Sequence, residues 1–465
     1  METNYFSEFA DRMQKAGLSD AAIRAFKHSY SNLVAGQTGM IAESSIQPVE
    51  ELPWLEKIQE KSRGHDLLSQ TVVVKLNGGL GTSMGLERAK SLLEVKNGLT
   101  FLDFIARQML DLRKKFATPL RFILMNSFST SRDSVAFLQR YPELGGAAEI
   151  ELMQNSVPKV DAGSLRPVSW PANPHLEWCP PGHGDIYPSL LGSGWLDRLL
   201  AAGVMYMFVS NADNLGASLD LKLLGYFAQT ESGFMMEVAE RTSSDRKGGH
   251  LARRNGTLLL RESAQCLPED TSAFQDIQRH RFFNTNNLWV RLDHLKSLLE
   301  QHGGFIPLQM IKNAKTVDPR DKQSPQVFQL ETAMGAAIEC FGKSSAVVVP
   351  RSRFAPVKTT SDLLALRSDA YTITDDWRIV LDSSNGGQPP AIDLDQNHYK
   401  LVDQLDEKLD GGAPSLKRCL SLTVRGPVRF NPKNSFAGKV TVENKSGELL
   451  PLAAGSYSDC TKTLP

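Results

Sequence analysis

No apolar run in this chain approaches the length needed to cross a bilayer, so no membrane-spanning helix is expected. Neither sign of charge is in excess: Lys plus Arg and Asp plus Glu are 52 each, and the formal charge is zero. That balance gives no overall field to hold the protein to nucleic acid or to an anionic membrane. An anionic ligand has to be met by local charges instead. Cysteine is scarce: five residues, at 179, 266, 340, 419 and 460, none in a C-x-x-C pair. An odd number without metal-type spacing argues against a disulfide framework and suits reduced thiols in the cytoplasm. The opening METNYFSEFADRM reads as acidic and amphipathic, not as a secretory leader.

What is present is a chain of 465 residues, 41% hydrophobic, long enough for two or three domains with a full core. Ile23, Phe26, Tyr30 and Leu33 recur at helical spacing, and Pro48 and Pro53 then interrupt the pattern, which predicts a boundary near residue 60. The centre alternates. TVVVKLN, RFILMNS, MYMFVSN, GFMMEVAE and SAVVVP read as strands, with helices expected over 101–116, 130–140, 189–202, 218–229, 327–341 and 360–368. Such alternation predicts a mostly parallel, doubly wound sheet whose loops after Leu76, Asn126, Ser210 and Val349 share one crevice. Gly386, Gly387, Pro389 and Pro390 mark a change of composition. Beyond them the triplets LTV, VRF and VTV suggest a stacked β-solenoid or β-sandwich, or else a small β-cap with no repeat.

The most informative stretch is LNGGLGTSMG, from Leu76 to Gly85, which follows a strand and leads to Lys90 and Ser91. Glycines let another group approach the backbone closely, and a strand running into such a loop exposes several peptide N–H groups. With the start of a following helix these form a cradle for phosphate, and a lysine nearby adds a mobile charge. The spacing fits neither the dinucleotide fingerprint nor the P-loop: Met84 stands where the third glycine belongs, and Ala89 precedes Lys90. A structural turn is the alternative.

Four further segments bear on chemistry. VSNADNLG places Asp213 at a strand end, where a carboxylate suits Mg²⁺; taken alone, the segment is better read as an Asn/Asp turn. PPGHGDIYP holds His183 between Gly182 and Gly184, whose backbone can approach a base or a sugar edge while His183 is suited to donate to a sugar hydroxyl or a phosphate; a lone histidine is a poor zinc ligand. FNTNNLWV sets Asn284 to Asn287 among apolar residues, amides suited to sugar hydroxyls or to another Asx turn. In VVVPRSRFAPVKTTSDL the cations Arg351, Arg353 and Lys358 repel one another unless something anionic meets them, or else form a solvated basic loop.

Together KLNGGLGTSMG with Lys90 and Ser91, LMQNSVPK, PPGHGD, SNADNLG, RKGG, FNTNNLW, ETAMGAAI and PRSRFAPVKTTSDLL resemble the eukaryotic-type UTP–glucose-1-phosphate uridylyltransferases, also called UDP-glucose pyrophosphorylases. The resemblance covers nearly the whole chain. It implies an α/β protein with a small helical region (1–60), a Rossmann-like nucleotidyltransferase domain with a mixed, mostly parallel sheet (61–380), and a left-handed C-terminal β-helix (381–465). It also implies uridylyl transfer from UTP to glucose 1-phosphate with Mg²⁺, giving UDP-glucose and pyrophosphate. By that resemblance Leu76, Asn77, Gly78, Gly79, Gly81 and Thr82 hold UTP, Lys90 meets its β- and γ-phosphates, and Gln154 and Gly182 read the uracil. His183, Gly184, Asn214 and Asn286 lie near glucose 1-phosphate, Asp213 holds the metal, and Lys358 reaches the reacting phosphates. The tail after Val442 is short and its repeat poor, which leaves open a homo-oligomer formed through the C-terminal domain.

Three rivals are worth separating. One is the same chemistry on another sugar 1-phosphate, which only a few hydrogen bonds distinguish. Another is an NAD(P)-dependent dehydrogenase, disfavoured by the failed glycine spacing. The third is a non-catalytic regulator, disfavoured by the presence of Lys90, Asp213 and Lys358 together.

Overall fold

A computed structural model describes residues 5–59, 64–242, 245–386 and 388–465. The boundary expected near residue 60, Gly387 and the first four residues of the acidic N-terminus lie outside the described residues. Ten strands form one large mixed sheet. Four of them, β1 (Thr71–Asn77), β2 (Arg121–Asn126), β3 (Glu151–Met153) and β4 (Tyr206–Asn211), run parallel in the order β4-β1-β2-β3. The sheet continues through β5 (Phe234–Glu240), β6 (His250–Arg254), β7 (Thr257–Arg261), β8 (Phe282–Arg291) and β9 (Ser344–Val348). Here the expectation of a mostly parallel sheet fails. β8 is antiparallel to β4, β5 and β6, and β6 is antiparallel to β7; only the β5–β9 pair is parallel. A two-residue link, Asn255 and Gly256, makes β6 and β7 a hairpin, which forces that direction.

The strands that carry the crevice are apolar on both sides because both faces are covered. On β1, Val73 packs with Phe104, Phe208 and Leu223, while Val72 and Val74 pack with Leu190, Met207 and Val290 on the opposite face. Alternate residues of one strand thus feed two cores. The first face is covered by α3 (Phe101–Phe116) and α7 (Leu221–Thr230), the second by α5 (Ile186–Gly192) and α6 (Trp195–Ala201). Between α5 and α6, Gly194 (φ 74°) breaks the single helix expected over 189–202. The helix α1 (Phe6–Lys15) and the stripe of α2 (Asp20–Val34) bury against Val157, Val160, Met310 and Leu330. The N-terminal region is not separate from the sheet, since Gln47 and Pro48 pair with Arg253 and Ala252 of β6.

The helix expected over 327–341 is absent. Gln326–Thr332 is a strand paired antiparallel with Met310–Thr316, and a 3₁₀ turn, Met334–Glu339, follows it. Pairing with a distant partner outweighs the local period. The helices α4 (Ser131–Leu138) and α8 (Thr360–Arg367) lie where the sequence puts them.

At the C-terminus β10 (Ala391–Leu394), β11 (Ser415–Arg425), β12 (Asn434–Asn444), β13 (Gly455–Ser458) and β14 (Thr461–Leu464) pair only in parallel. Their inward residues, among them Leu422, Val424, Phe436 and Val442, join the same core as α3 and α8. Among the described residues no helix is long and apolar enough to cross a membrane.

α3 starts at a capping box in which Thr100 Oγ1 accepts from Asp103 N while Asp103 accepts from Thr100 N. Thr100→Ala is expected to cost about 1 kcal/mol, read as a lower thermal midpoint with turnover unchanged.

Candidate functional site

Two parallel strands set the geometry. Leu76 of β1 lies opposite Asn211 of β4, and Asn77 lies opposite Asn126 of β2, so three loops leave one edge of the sheet together. Between them is a cleft of about 290 Å³ lined by Leu76, Asn77, Gly78, Gly79, Lys90, Ser91, Met125, Gln154, Pro180, Gly182, His183, Asn211, Ala212 and Asp213.

The glycine loop departs from the expected cradle in one respect: no α-helix begins behind it. A 3₁₀ turn, Thr82–Met84, sits between Gly81 and Gly85, both left-handed (φ 70° and 79°), and α3 starts only at Phe101. Any phosphate binding here falls to loop N–H groups and side chains, without a helix dipole. Gly79 is open, and Lys90 N returns to donate to Gly79 O at 3.1 Å, folding Lys90 over the loop. Gly81 and exposed Thr82 lie beyond the cleft's lining. The Asn77 side chain is buried, donating to Asn126 Oδ1 at 2.7 Å and Ser134 Oγ at 2.8 Å. It fixes the loop's root and offers the cleft only its backbone.

On the opposite wall Gln154 Nε2 donates to Gly182 O at 3.0 Å, joining the two residues expected at the base. Gly182 has φ 77°, and a Cβ there would fall 2.5 Å from Thr332 O, so only glycine fits. His183 Nδ1 accepts from Met334 N at 3.0 Å. With its pKa lowered by burial to about 4, the ring is neutral at pH 7 and carries its proton on Nε2, as a donor. Gly184, expected at the sugar phosphate, is buried against Thr332 instead, because a Cβ there would sit 2.4 Å from Thr332 Oγ1. Behind it Asp185 accepts from Asn155 N at 2.7 Å and Ser189 Oγ at 2.8 Å.

Lys90 and Asp213 meet at the centre, Nζ to Oδ2 at 2.7 Å, both partly exposed. Asp213 O accepts from Val357 N at 3.2 Å, which brings the segment carrying Lys358 alongside. The exposed Lys358 side chain opens on the neighbouring hollow of about 550 Å³, with Pro356, Val357 and Asp362. Among the described residues its ammonium has no hydrogen-bond acceptor; its charge acts on Glu262, whose carboxyl burial pushes up and Lys358 pulls down. The basic cluster is otherwise not free. Arg351 is held by Asp245 at 2.8 Å and buried Arg353 by Glu237 at 2.7 Å, so protein carboxylates meet two of the three cations expected to face an anion.

Asn214 also corrects an expectation. Its side chain is buried, donating to Arg353 O at 3.2 Å and accepting from Ala355 N at 2.9 Å. It braces the Asp213 loop from behind and does not face the cleft. Asn286 stands on a bulge of β8, where Glu237 pairs with Asn287 but Val238 pairs with Asn284. It has φ 62° and is tied to Asn284 by Asn286 N to Asn284 Oδ1 at 2.8 Å. Bulges of this kind re-aim a side chain beside a site.

Sequence reasoning missed Glu262, which follows a short hairpin with no motif of its own. Its one signal is Gly249 of RKGG, where a Cβ would fall 2.4 Å from Glu262 Oε2. Among the described residues no three His, Cys, Asp or Glu side chains are grouped to hold a metal. Asp213 as a single carboxylate fits an ion that keeps its waters and takes further oxygens from phosphates.

Burial raises the Asp185 carboxyl to about 6, partly offset by the donors from Asn155 and Ser189. The native state therefore binds a proton that the unfolded chain releases near pH 4, and stability falls as pH rises from about 4 through about 6. In Asp185→Asn this slope, on the order of 2–3 kcal/mol, is expected to vanish from denaturant melts taken across that range.

The family model described as UTP–glucose-1-phosphate uridylyltransferase matches residues 23–436. The chain is 39% identical over 446 residues to the UTP–glucose-1-phosphate uridylyltransferase of Solanum tuberosum, covering 92% of this chain and 91% of that one. To the Saccharomyces cerevisiae enzyme of the same name it is 39% identical over 411 residues, covering 88% and 80%. Among solved structures, a mutant UDP-glucose pyrophosphorylase of Leishmania major in complex with UDP-glucose superposes with TM-score 0.95 at 48% identity, over 99% of this chain and 100% of that one. The UDP-glucose phosphorylase of Trypanosoma brucei does so with TM-score 0.91 at 50% identity, over 100% of both.

Proposed function

Since the chain belongs to the UTP–glucose-1-phosphate uridylyltransferase family, we propose that its cleft transfers uridylyl by direct in-line displacement with a divalent ion on Asp213. The reaction joins UTP and glucose 1-phosphate into UDP-glucose and pyrophosphate. The observation that carries the mechanism is the meeting of Lys90, Asp213 and the 356–358 segment at one strand edge.

The acceptor oxygen of glucose 1-phosphate is already anionic and needs no general base. It attacks the α-phosphorus of UTP; the new P–O bond forms as the bond to the bridging oxygen breaks, and the electron pair leaves with pyrophosphate. Catalysis is then positioning and charge stabilisation. Gly78 and Gly79 leave room for the nucleotide beside Gln154 and Gly182, whose amide and carbonyl edges suit uracil. His183 Nε2–H and Asn286 suit the sugar phosphate. Lys90 gives up Asp213 for the β- and γ-phosphates, and Lys358 swings from its hollow toward the α-phosphate. The chemistry an ion on Asp213 supplies is neutralisation of phosphate charge; Mg²⁺ suits such a single-carboxylate site.

We also read the all-parallel C-terminal strands as turns of a short β-helix, and the five cysteines, none in a disulfide, as suited to the cytoplasm.

Lys358→Ala is expected to lower turnover by ~10²–10³, about 3 kcal/mol, in a pyrophosphate-release assay with saturating substrates. Because that side chain is exposed, the thermal midpoint should not move. A nearly normal turnover number would overturn the role of Lys358.

A further inference from the structure

Beneath the cleft lie three charged side chains that the transfer chemistry does not touch. Lys75 is 2% exposed, Glu237 0% and Arg353 7%. Lys75 stands on β1, two residues before Asn77. Its ammonium donates to Ser210 Oγ at 2.7 Å and to Ala217 O at 2.5 Å, so it grips both ends of the loop that carries Asp213. Glu237 takes the Arg353 fork at 2.7 and 2.8 Å, together with Asn287 Nδ2 at 3.0 Å and Trp289 Nε1 at 2.9 Å. Arg353 passes the restraint on: one of its terminal nitrogens donates to Ser218 O at 3.0 Å, and its carbonyl accepts from Asn214 at 3.2 Å. The loop presses so closely on this segment that a Cβ at Gly216 would fall 2.4 Å from Ser352 O.

Burying an ammonium costs free energy, and an apolar side chain of similar length would pack against Phe208 without that cost. Burial brings the Lys75 pKa down to about 7, Arg353 presses it the same way, and Glu237 opposes. Lys75 and Arg353 hold the adjacent carbonyls of Ala217 and Ser218, so the two restraints meet at one end of the Asp213 loop.

We propose that Lys75 is a positioning residue for uridylyl transfer: it ties the Asp213 loop to the strand that launches the glycine loop, while the Glu237–Arg353 pair ties that loop to the Lys358 segment. This rests on the roles given above to Asp213 and Lys358. A single buried cluster then sets the mutual geometry of three loops that reach the phosphates from different parts of the chain.

The test is a double-mutant cycle on the full chain with Lys75→Met and Asp213→Asn, measuring turnover, KM for UTP and the Mg²⁺ concentration for half-maximal rate. Lys75→Met is expected to lose roughly 10- to 100-fold in turnover and to need more Mg²⁺, with KM for UTP little changed. Because it acts through the Asp213 loop, the double variant should be no worse than Asp213→Asn alone to within about 2-fold. Losses that multiply, or unchanged turnover and Mg²⁺ requirement in Lys75→Met, overturn the proposal while leaving the Asp213 assignment intact. An unchanged Mg²⁺ requirement in Asp213→Asn overturns both. If Lys75→Met does not fold, Ser210→Ala removes one of its two acceptors. A smaller loss of turnover, again non-multiplying with Asp213→Asn, is then expected, and multiplying or absent losses count against the proposal.

Discussion

The site depends on one pairing. β1 and β4 lie parallel and in register, from Thr71 opposite Tyr206 to Leu76 opposite Asn211. Parallel strands send their following loops out of the same edge, which is why ligands collect there in open α/β sheets. The glycine loop and the Asp213 loop become neighbours although 134 and more positions separate the ends of these strands in sequence (211 less 77). The Lys90–Asp213 contact at 2.7 Å is the product of that register. A slip of one residue would turn Val72, Val73 and Val74 into the wrong cores, so the same apolar packing that stabilises the sheet fixes the chemistry at its rim.

The resting cleft keeps its charges in matched pairs. Lys90 is held by Asp213, Arg353 by Glu237 and Arg351 by Asp245, leaving Lys358 exposed at the side. In the mechanism proposed above, a polyanion arriving with a divalent ion would exchange partners rather than create isolated charge, the ion taking the carboxylate and the phosphates the ammonium. Such exchange limits the desolvation cost that a cleft lined with bare cations would carry. On that proposal the backbone at Gly78, Gly79 and Gly182 would admit the ligand closely, a task separate from neutralising it.

Much of this was legible before the fold was known, where the signal was local and covered by one principle. The strands of the crevice announced themselves as short apolar runs, and α3 occupies the helix expected over 101–116 between two of them. What was not legible depended on distant partners. FNTNNLWV read as amides for sugar hydroxyls or as an Asx turn, yet it is a strand whose bulge at Asn286 exists only against β5. ETAMGAAI looked helical, yet its first residues belong to a hairpin with Met310–Thr316. Asn214 enters through the resemblance and Arg353 as one of three cations that an anion would meet; both side chains are buried, Asn214 donating to Arg353 O and Arg353 held by Glu237, contacts that no local signal announces. Glu262 had no motif to mark it and is placed only by the close approach of Gly249.

The central claim is that side chains from Leu76 to Lys358 surround one triphosphate and its ion, and that substrate binding breaks the Lys90–Asp213 pair. The most direct measurement is a crystal structure with Mg²⁺ and a non-hydrolysable UTP analogue. The account predicts the ion on the Asp213 carboxylate, the Lys90 ammonium on the β- or γ-phosphate, and the uracil against Gln154 and Gly182. A nucleotide bound with the Lys90–Asp213 contact intact, or an ion coordinated away from Asp213, would contradict it.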